Sequence, residues 1–318
     1  MKRKYAIAIP SRGRADWLRK QNRSTLKQIA FLKPDFWIRD DESEETYQSY
    51  AHYMLECGVR PSDWMRRYNG KGILGAAQTY DYLIDYYIAE GFERLLILDD
   101  DLAFTMHNPI PNAKPDFKIC DEYETETLFN HITNLVCPQM PMMSFTPIMT
   151  RSHPHLIAYC KPMMMAYSYY LPHFAKHPEH RFWFGENIEA RCDLNLSLKM
   201  LTEGFLNGFL VSCFIPDNVN NPGGCSIYRD LEMETKSVEY LMAQYPMSTK
   251  PRMKKGWVGD PNVMRKAVTI QWKRAFDHGK FFNNFNEDAT VFAHQHLLKY
   301  EIIYADFIRG IREQHDGA

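Results

Sequence analysis

The sequence predicts an α/β protein built on a mixed sheet flanked by helices. Three observations lead there. Short apolar runs alternate with amphipathic stretches over the first hundred residues, as strand–helix–strand units do. The run at 95–98 (LLIL) is wholly apolar, the pattern of a strand covered on both faces. The chain has 318 residues, 45% hydrophobic and 24% charged, which is enough to bury a sizeable core in one elaborated domain or two small ones.

KYAIAIP (4–10) is a short apolar run stopped by Pro and Gly, hence a first strand. Residues 15–32 carry Trp17, Leu18, Thr25, Leu26 and Ile29 at helical intervals. DFWIRDD (35–41) predicts a second strand ending in acid. Residues 73–91 form a helix closed by Gly91, and 93–100 a third strand. Residues 105–125, with their prolines, predict a loop, and 140–151 and 159–171 further strands of a mixed sheet. A helix over 187–204, again glycine-closed, precedes a strand at 205–216 and a turn-rich loop at 217–226. The remainder reads as mostly helical. Residues 1–230 are therefore expected to hold the sheet domain, and 231–318 a mostly helical extension packed on it.

A net charge of -1 assigns the chain no general affinity for nucleic acid, so any such affinity must come from a local patch. The seven cysteines lack CxxC spacing, which suggests neither a zinc site nor a disulfide framework. The only apolar run near the start is Tyr5–Ile9, too short for a secretion signal, and no stretch approaches a membrane span. Reduced thiols and a cytoplasmic location are the expectation, the host cytoplasm if a phage encodes the chain.

The third strand runs straight into Asp99, Asp100 and Asp101. Two carboxylates about 4 Å apart repel by ~4 kcal/mol at an effective dielectric near 20, so water, a basic neighbour or a divalent cation must compensate. On an extended backbone Asp99 and Asp101 would share one face and Asp100 the other. Such a pair of hard oxygen donors suits Mg²⁺ or Mn²⁺. Ligands of α/β sheets sit beyond the carboxyl ends of strands. Those ends here are Pro10, Ser11 and Arg12; Asp40 and Asp41; and the aspartate triplet. Arg12 and Arg14 could offer paired donors to phosphate. Gly70–Gly75 fits GxGxxG, but the preceding WMRRYN is no apolar strand, so a helix entry near phosphate is expected instead of a dinucleotide fingerprint.

In this order, the Ala8–Arg12 opening strand and turn, Asp40 or Asp41, Gly72-Ile73-Leu74-Gly75-Ala76-Ala77-Gln78 and the aspartate triplet resemble the GT-A glycosyltransferases. More narrowly, IPSRGR with Thr25-Leu26 resembles the phage and base J type (TET/JBP-associated) enzymes that glycosylate hydroxymethylated pyrimidines in DNA. The resemblance implies a Rossmann-like nucleotide-diphosphosugar transferase fold and transfer from a nucleotide sugar, a UDP-sugar by expectation. It implies Mn²⁺ or Mg²⁺ held by Asp99 and Asp101, with Asp100 beside the donor. Pro10, Ser11, Arg12, Arg14, Asp40, Asp41, Gly72, Gly75 and Gln78 would bind the nucleotide sugar. The acidic stretch at 184–194 is similar to the acceptor-side motif of such enzymes, but its acids are spread to 186, 189 and 193 where the family has an adjacent Glu-Asp. Glu189, or alternatively Asp193 on the same helix face, would be the base. His294, or His296, could supply a third metal ligand, and Asn221–Gly224 could close over the sugar.

Lys250 to Lys280 holds nine Lys/Arg against Asp260 and Asp277, +7 locally, interleaved with Trp257, Trp272 and Phe276. This suits the phosphate backbone of double-stranded DNA and an extruded base, though a solvated helical face would look the same. Three rival readings remain: a GT-A enzyme with a glycan, lipid or protein acceptor; a nucleotidyltransferase, which also presents paired carboxylates; and a non-catalytic DNA-binding protein.

Overall fold

A computed structural model describes residues 5–69, 75–107, 117–146, 157–159, 166–183, 190–214, 230–257 and 260–282, with the single positions 295, 299 and 306. Its centre is a ten-stranded mixed sheet. Strand β1 (Ala6–Ser11) lies between β2 (Asp35–Arg39) and β4 (Arg94–Leu98), parallel to both. Beyond β2 lies β3 (Met65–Tyr68), also parallel. Beyond β4 the sheet turns mixed. Strand β9 (Ala166–Tyr170) runs antiparallel to β4 and to β7 (Met142–Thr146), and β10 (Asn207–Phe214) runs parallel to β7. The short strands β5 (Thr105–His107), β6 (Phe117–Ile119) and β8 (Ile157–Tyr159) extend the far side around β10.

The period-2 alternation of strands divides the apolar residues between two cores. Ile7, Ile9, Phe36, Ile38, Leu96 and Leu98 face one. Ala6, Ala8, Trp37, Leu95 and Ile97 face the other. The first is covered by α1 (Ala15–Lys20), α2 (Thr25–Ile29), α3 (Glu44–Glu56) and α6 (Glu122–Leu135). The second is covered by α5 (Ala76–Ala89) and α7 (Leu171–Lys176). A single-turn helix α4 (Pro61–Trp64) leads into β3, and α8 (Cys192–Thr202) precedes β10. Each fully buried aliphatic side chain of β4 contributes about 1.5–3 kcal/mol relative to exposure.

The 15–32 helix is broken in two. Gln21 and Ser24 are extended, and the buried Ser24 hydroxyl lies 2.6 Å from that of Tyr53. Residues 65–68 are a strand despite their arginines, because β3 is an edge strand with only Tyr68 fully buried. A strand therefore does precede the glycine-rich segment, but it is a polar edge strand. Gly91 and Gly204 take left-handed φ of 77° and 88° just past α5 and α8, as the helix stops predict. Helix α6 starts inside the stretch read as loop, fixed by a capping box between Asp121 and Glu124.

The 231–318 extension is less helical than expected. After α9 (Leu231–Gln244) comes an antiparallel ribbon, β11 (Thr249–Trp257) and β12 (Asp260–Ile270), and then α10 (Trp272–Phe282). The ribbon escapes sequence reading because its exposed lysines and methionines hide any apolar alternation. Val238, Leu241, Val268, Ala275 and Phe276 join the same core as Ile7 and Leu96. Helix α10 meets α8 at Gly279, where a Cβ would come within 2.4 Å of the Thr202 carbonyl oxygen. No helix among the described residues is long and apolar enough to cross a membrane.

Candidate functional site

The chain steps outward from β1 to β2 and β3, then returns through α5 to β4 on the other side of β1. The strand order thus reverses between β1 and β4, and the crevice at their carboxyl ends is where such sheets bind ligands. Two turns meet there.

The turn after β1 is shaped by Gly13, at φ 62°, which delivers Arg14 to the start of α1. The buried Tyr50 hydroxyl accepts the Arg14 backbone N–H at 3.0 Å and lies 2.8 Å from Ser11 Oγ. The turn after β4 is held by α2. Thr25 donates its backbone N–H to the Asp100 carbonyl at 3.2 Å and its hydroxyl to the Asp99 carbonyl, and it accepts the Leu102 N–H at 2.9 Å. Gln28 brackets Phe104 through both its amide groups.

Strand β4 ends at Leu98, so the aspartates leave the pleat and the expected alternation does not hold. Asp100 and Asp101 turn together toward Arg14, whose Nη1 donates to them at 2.6 and 3.0 Å. Asp100 is 3% exposed and also accepts the Ser11 hydroxyl. Asp99 faces away and accepts the Tyr80 hydroxyl of α5. The repulsion within the triplet is thus met by a basic neighbour. Burial opposes the charge on Arg14, but the attraction of Asp100, Asp101 and Asp99 outweighs it and raises its pKa. Burial, with the negative charge of Asp101 added, pushes the Asp99 carboxyl up to about 7.

These groups wall a cleft with about 600 Å³ of empty space, part of it open solvent. From β1 it takes Pro10, Ser11, Arg12 and Arg14; from the head of α5, Gly75, Ala76, Thr79 and Tyr80; and from β4, Asp99 and Asp100. Arg39 and Tyr68 close the side. The N-terminus of α5 faces the cleft with no acid in its first turn, so its positive end favours negative charge there. Arg14 Nε is buried without an acceptor among the described residues. The cleft therefore joins anion-binding groups to one half-buried carboxylate, Asp99.

Other expected residues fall elsewhere. Asp101 sits behind Arg14 and does not line the cleft. Asp40 is exposed, and Asp41 grips Arg39, so the cleft there is lined by arginine and not by acid. Gln78 lies in the first turn of α5 but outside the cleft wall. Helix α8 begins only at Cys192, after Arg191 at a left-handed φ of 62°, so Asp193 lies in its first turn. Arg191 is tied 2.7 Å from Glu234 of α9. Asp193 is half-buried, and burial, followed by the negative charge of Asp193, raises the Tyr167 pKa. Glu189, Gly72, His294, His296 and Asn221–Gly224 lie outside the described residues. The basic segment is a ribbon and a helix, not one helical face. On it Lys250, Arg252, Lys254 and Lys255 of β11 are exposed, whereas Arg265 and Lys266 of β12 reach Glu234 and Glu239 of α9.

Sequence reasoning missed Tyr50, Tyr80, Arg39 and the clamp made by Thr25 and Gln28. Tyr80 lies one helical turn into α5, a spacing that could have flagged it; Tyr50 carried no local signal. No protein-family model and no curated protein matches this chain, so its functional reading rests on the geometry of this cleft.

Proposed function

We propose that the protein is a glycosyltransferase that binds a nucleotide sugar across the carboxyl ends of β1 and β4. One observation carries the reading: at the switch point of the sheet, Arg14 and the head of α5 face a turn of three aspartates. A diphosphate needs fixed positive charge and an N–H donor, which the buried Arg14 Nε supplies and the positive end of α5 reinforces. Arg12 and Arg39, from neighbouring strand ends, add to the same wall.

Asp99 presents hard oxygen donors to the cleft, which suits Mn²⁺ or Mg²⁺. Asp99 would hold the ion, with Asp101 the expected second ligand once exchanged from Arg14. Bound there, the ion would neutralise charge on the leaving diphosphate. Arg14 keeps the turn in register, and Tyr80 orients the Asp99 carboxylate. The acceptor hydroxyl would lose its proton to an acid entering from the 184–194 segment, Glu189 or Asp193. Of the two, Asp193 lies among the described residues, half-buried in the first turn of α8.

The acceptor we favour is a hydroxymethylated pyrimidine in DNA, with the exposed cations of β11 touching the backbone. A thermal-shift screen of nucleotide sugars, with and without Mn²⁺, tests the donor half. A UDP-sugar should raise the melting temperature of the wild type but not of Asp99→Asn. Equal shifts in both proteins, or none with any nucleotide sugar, would refute it.

A further inference from the structure

At the opposite end of the sheet from the cleft, α7 and the turn after it gather three histidines. Leu171 N–H donates to the Glu93 carbonyl beside the start of β4, which fixes α7 at that end. His173, His177 and His180 stack with centroids 4.5, 4.9 and 5.1 Å apart, and all three pack edge-on to Phe205. His180 is fully buried, with Nδ1 lying 2.7 Å from His173 Nε2 and Nε2 pointing outward to Glu203 at 2.5 Å. Glu179, held 3.0 Å from His177 Nδ1, turns its carboxylate to the same spot.

One ligand atom from each of Glu179, His180 and Glu203 lies within 4.8 Å of the other two, the sole such trio of His, Cys and acidic groups among the described residues. Ligands ~2.1 Å from a tetrahedral zinc ion sit roughly 3.4 Å from one another, so only small side-chain adjustments are needed. We propose that Glu179, His180 and Glu203 bind a divalent transition-metal ion of the zinc type, which staples the 177–180 turn to the C-terminal end of α8.

The neighbours support one imidazole and two carboxylates as ligands. A ligating histidine commonly donates its other ring N–H to a fixed acceptor. His180 would donate Nδ1–H to His173 Nε2, leaving its own Nε2 lone pair for the ion. His173 suits that role because it is buried and its Nε2 lies 2.7 Å from His180 Nδ1. A fourth position, toward solvent beside half-exposed Glu179 and Glu203, would take water or His177. Among the described residues, Lys199, 3.5 Å from Glu203, is the lysine that the ion would have to displace.

The test uses the full chain stripped with chelator and equilibrated with Zn²⁺ alone, with bound metal measured after dialysis. The wild type should take up one ion at micromolar zinc and melt at a higher temperature with it. Glu179→Gln and Glu203→Gln should each weaken binding at least about tenfold, while Glu56→Ala, at an exposed side chain outside the trio, should bind as the wild type does. Both glutamine variants change partly exposed side chains, and their circular dichroism checks that they fold. Zinc uptake that is unchanged in both, or no uptake by the wild type at submillimolar zinc, overturns the proposal. Neither result depends on whether the cleft binds a nucleotide sugar.

Discussion

Two regions of this molecule concentrate charge, and they treat it in opposite ways. Around Arg14 the charges are buried and satisfied by one another: one guanidinium, two carboxylates, a serine and a tyrosine. On β11 four cations stand in solvent, with no acid paired to Lys250, Arg252, Lys254 or Lys255 among the described residues. Buried charge without a partner is costly, so the first region has to be complete for the fold to stand. Exposed charge costs little and contributes little, so the second is free to serve a partner. Stability should therefore depend on the cleft, and salt-sensitive binding on the ribbon.

The comparison breaks first at Arg14. Arg14→Ala leaves Asp100 buried without its counter-charge and should cost about 3–5 kcal/mol in urea unfolding. A loss under 1 kcal/mol would mean that the cluster is more solvated than its burial indicates. A pH series sharpens the same point. Asp99 and Asp81 both have carboxyls raised to about 7, chiefly by burial, so the folded chain holds these protons more tightly than the unfolded chain. Their contribution is fully present below the unfolded pKa near 4 and is lost as pH rises toward 7. Stability should fall over that window, and Asp99→Asn should flatten part of the decline.

On the ribbon, changing Lys254 and Lys255 together to glutamate should leave the unfolding midpoint in place. It should weaken binding to double-stranded DNA about tenfold or more and reduce the slope of log affinity against log salt by about two. An unaltered slope would remove DNA from the reading. The smallest effect is expected from Glu239→Gln, which breaks the exposed pair with Lys266 and should shift stability by less than about 1 kcal/mol.

Much of the first hundred residues is legible because local signals and the fold agree. LLIL reads as a doubly covered strand, Gly91 as a helix stop, and the strand ends as one crevice. The details of the site are less legible. That Asp100 and Asp101 would turn together depends on Thr25, some 75 positions away in sequence, holding the backbone of Asp99, Asp100 and Leu102. That Arg39 and not Asp40 would line the cleft depends on Asp41 folding back onto it. Non-local pairing also explains the ribbon: TKPRMKKGW has no strand pattern of its own and becomes one by lying against β12 and α9.

The contact at Gly279 bears on how the chain can be shortened. At Gly279 the backbone of α10 sits directly on that of α8, and Ala275 and Phe276 share its core, so ending the protein at residue 271 would strip a lining from α8 and not simply trim a tail. Glu203 directly follows that helix, so a shortened protein should lose order beside the histidine stack as well, while the ribbon, which ends at Ile270, is kept whole.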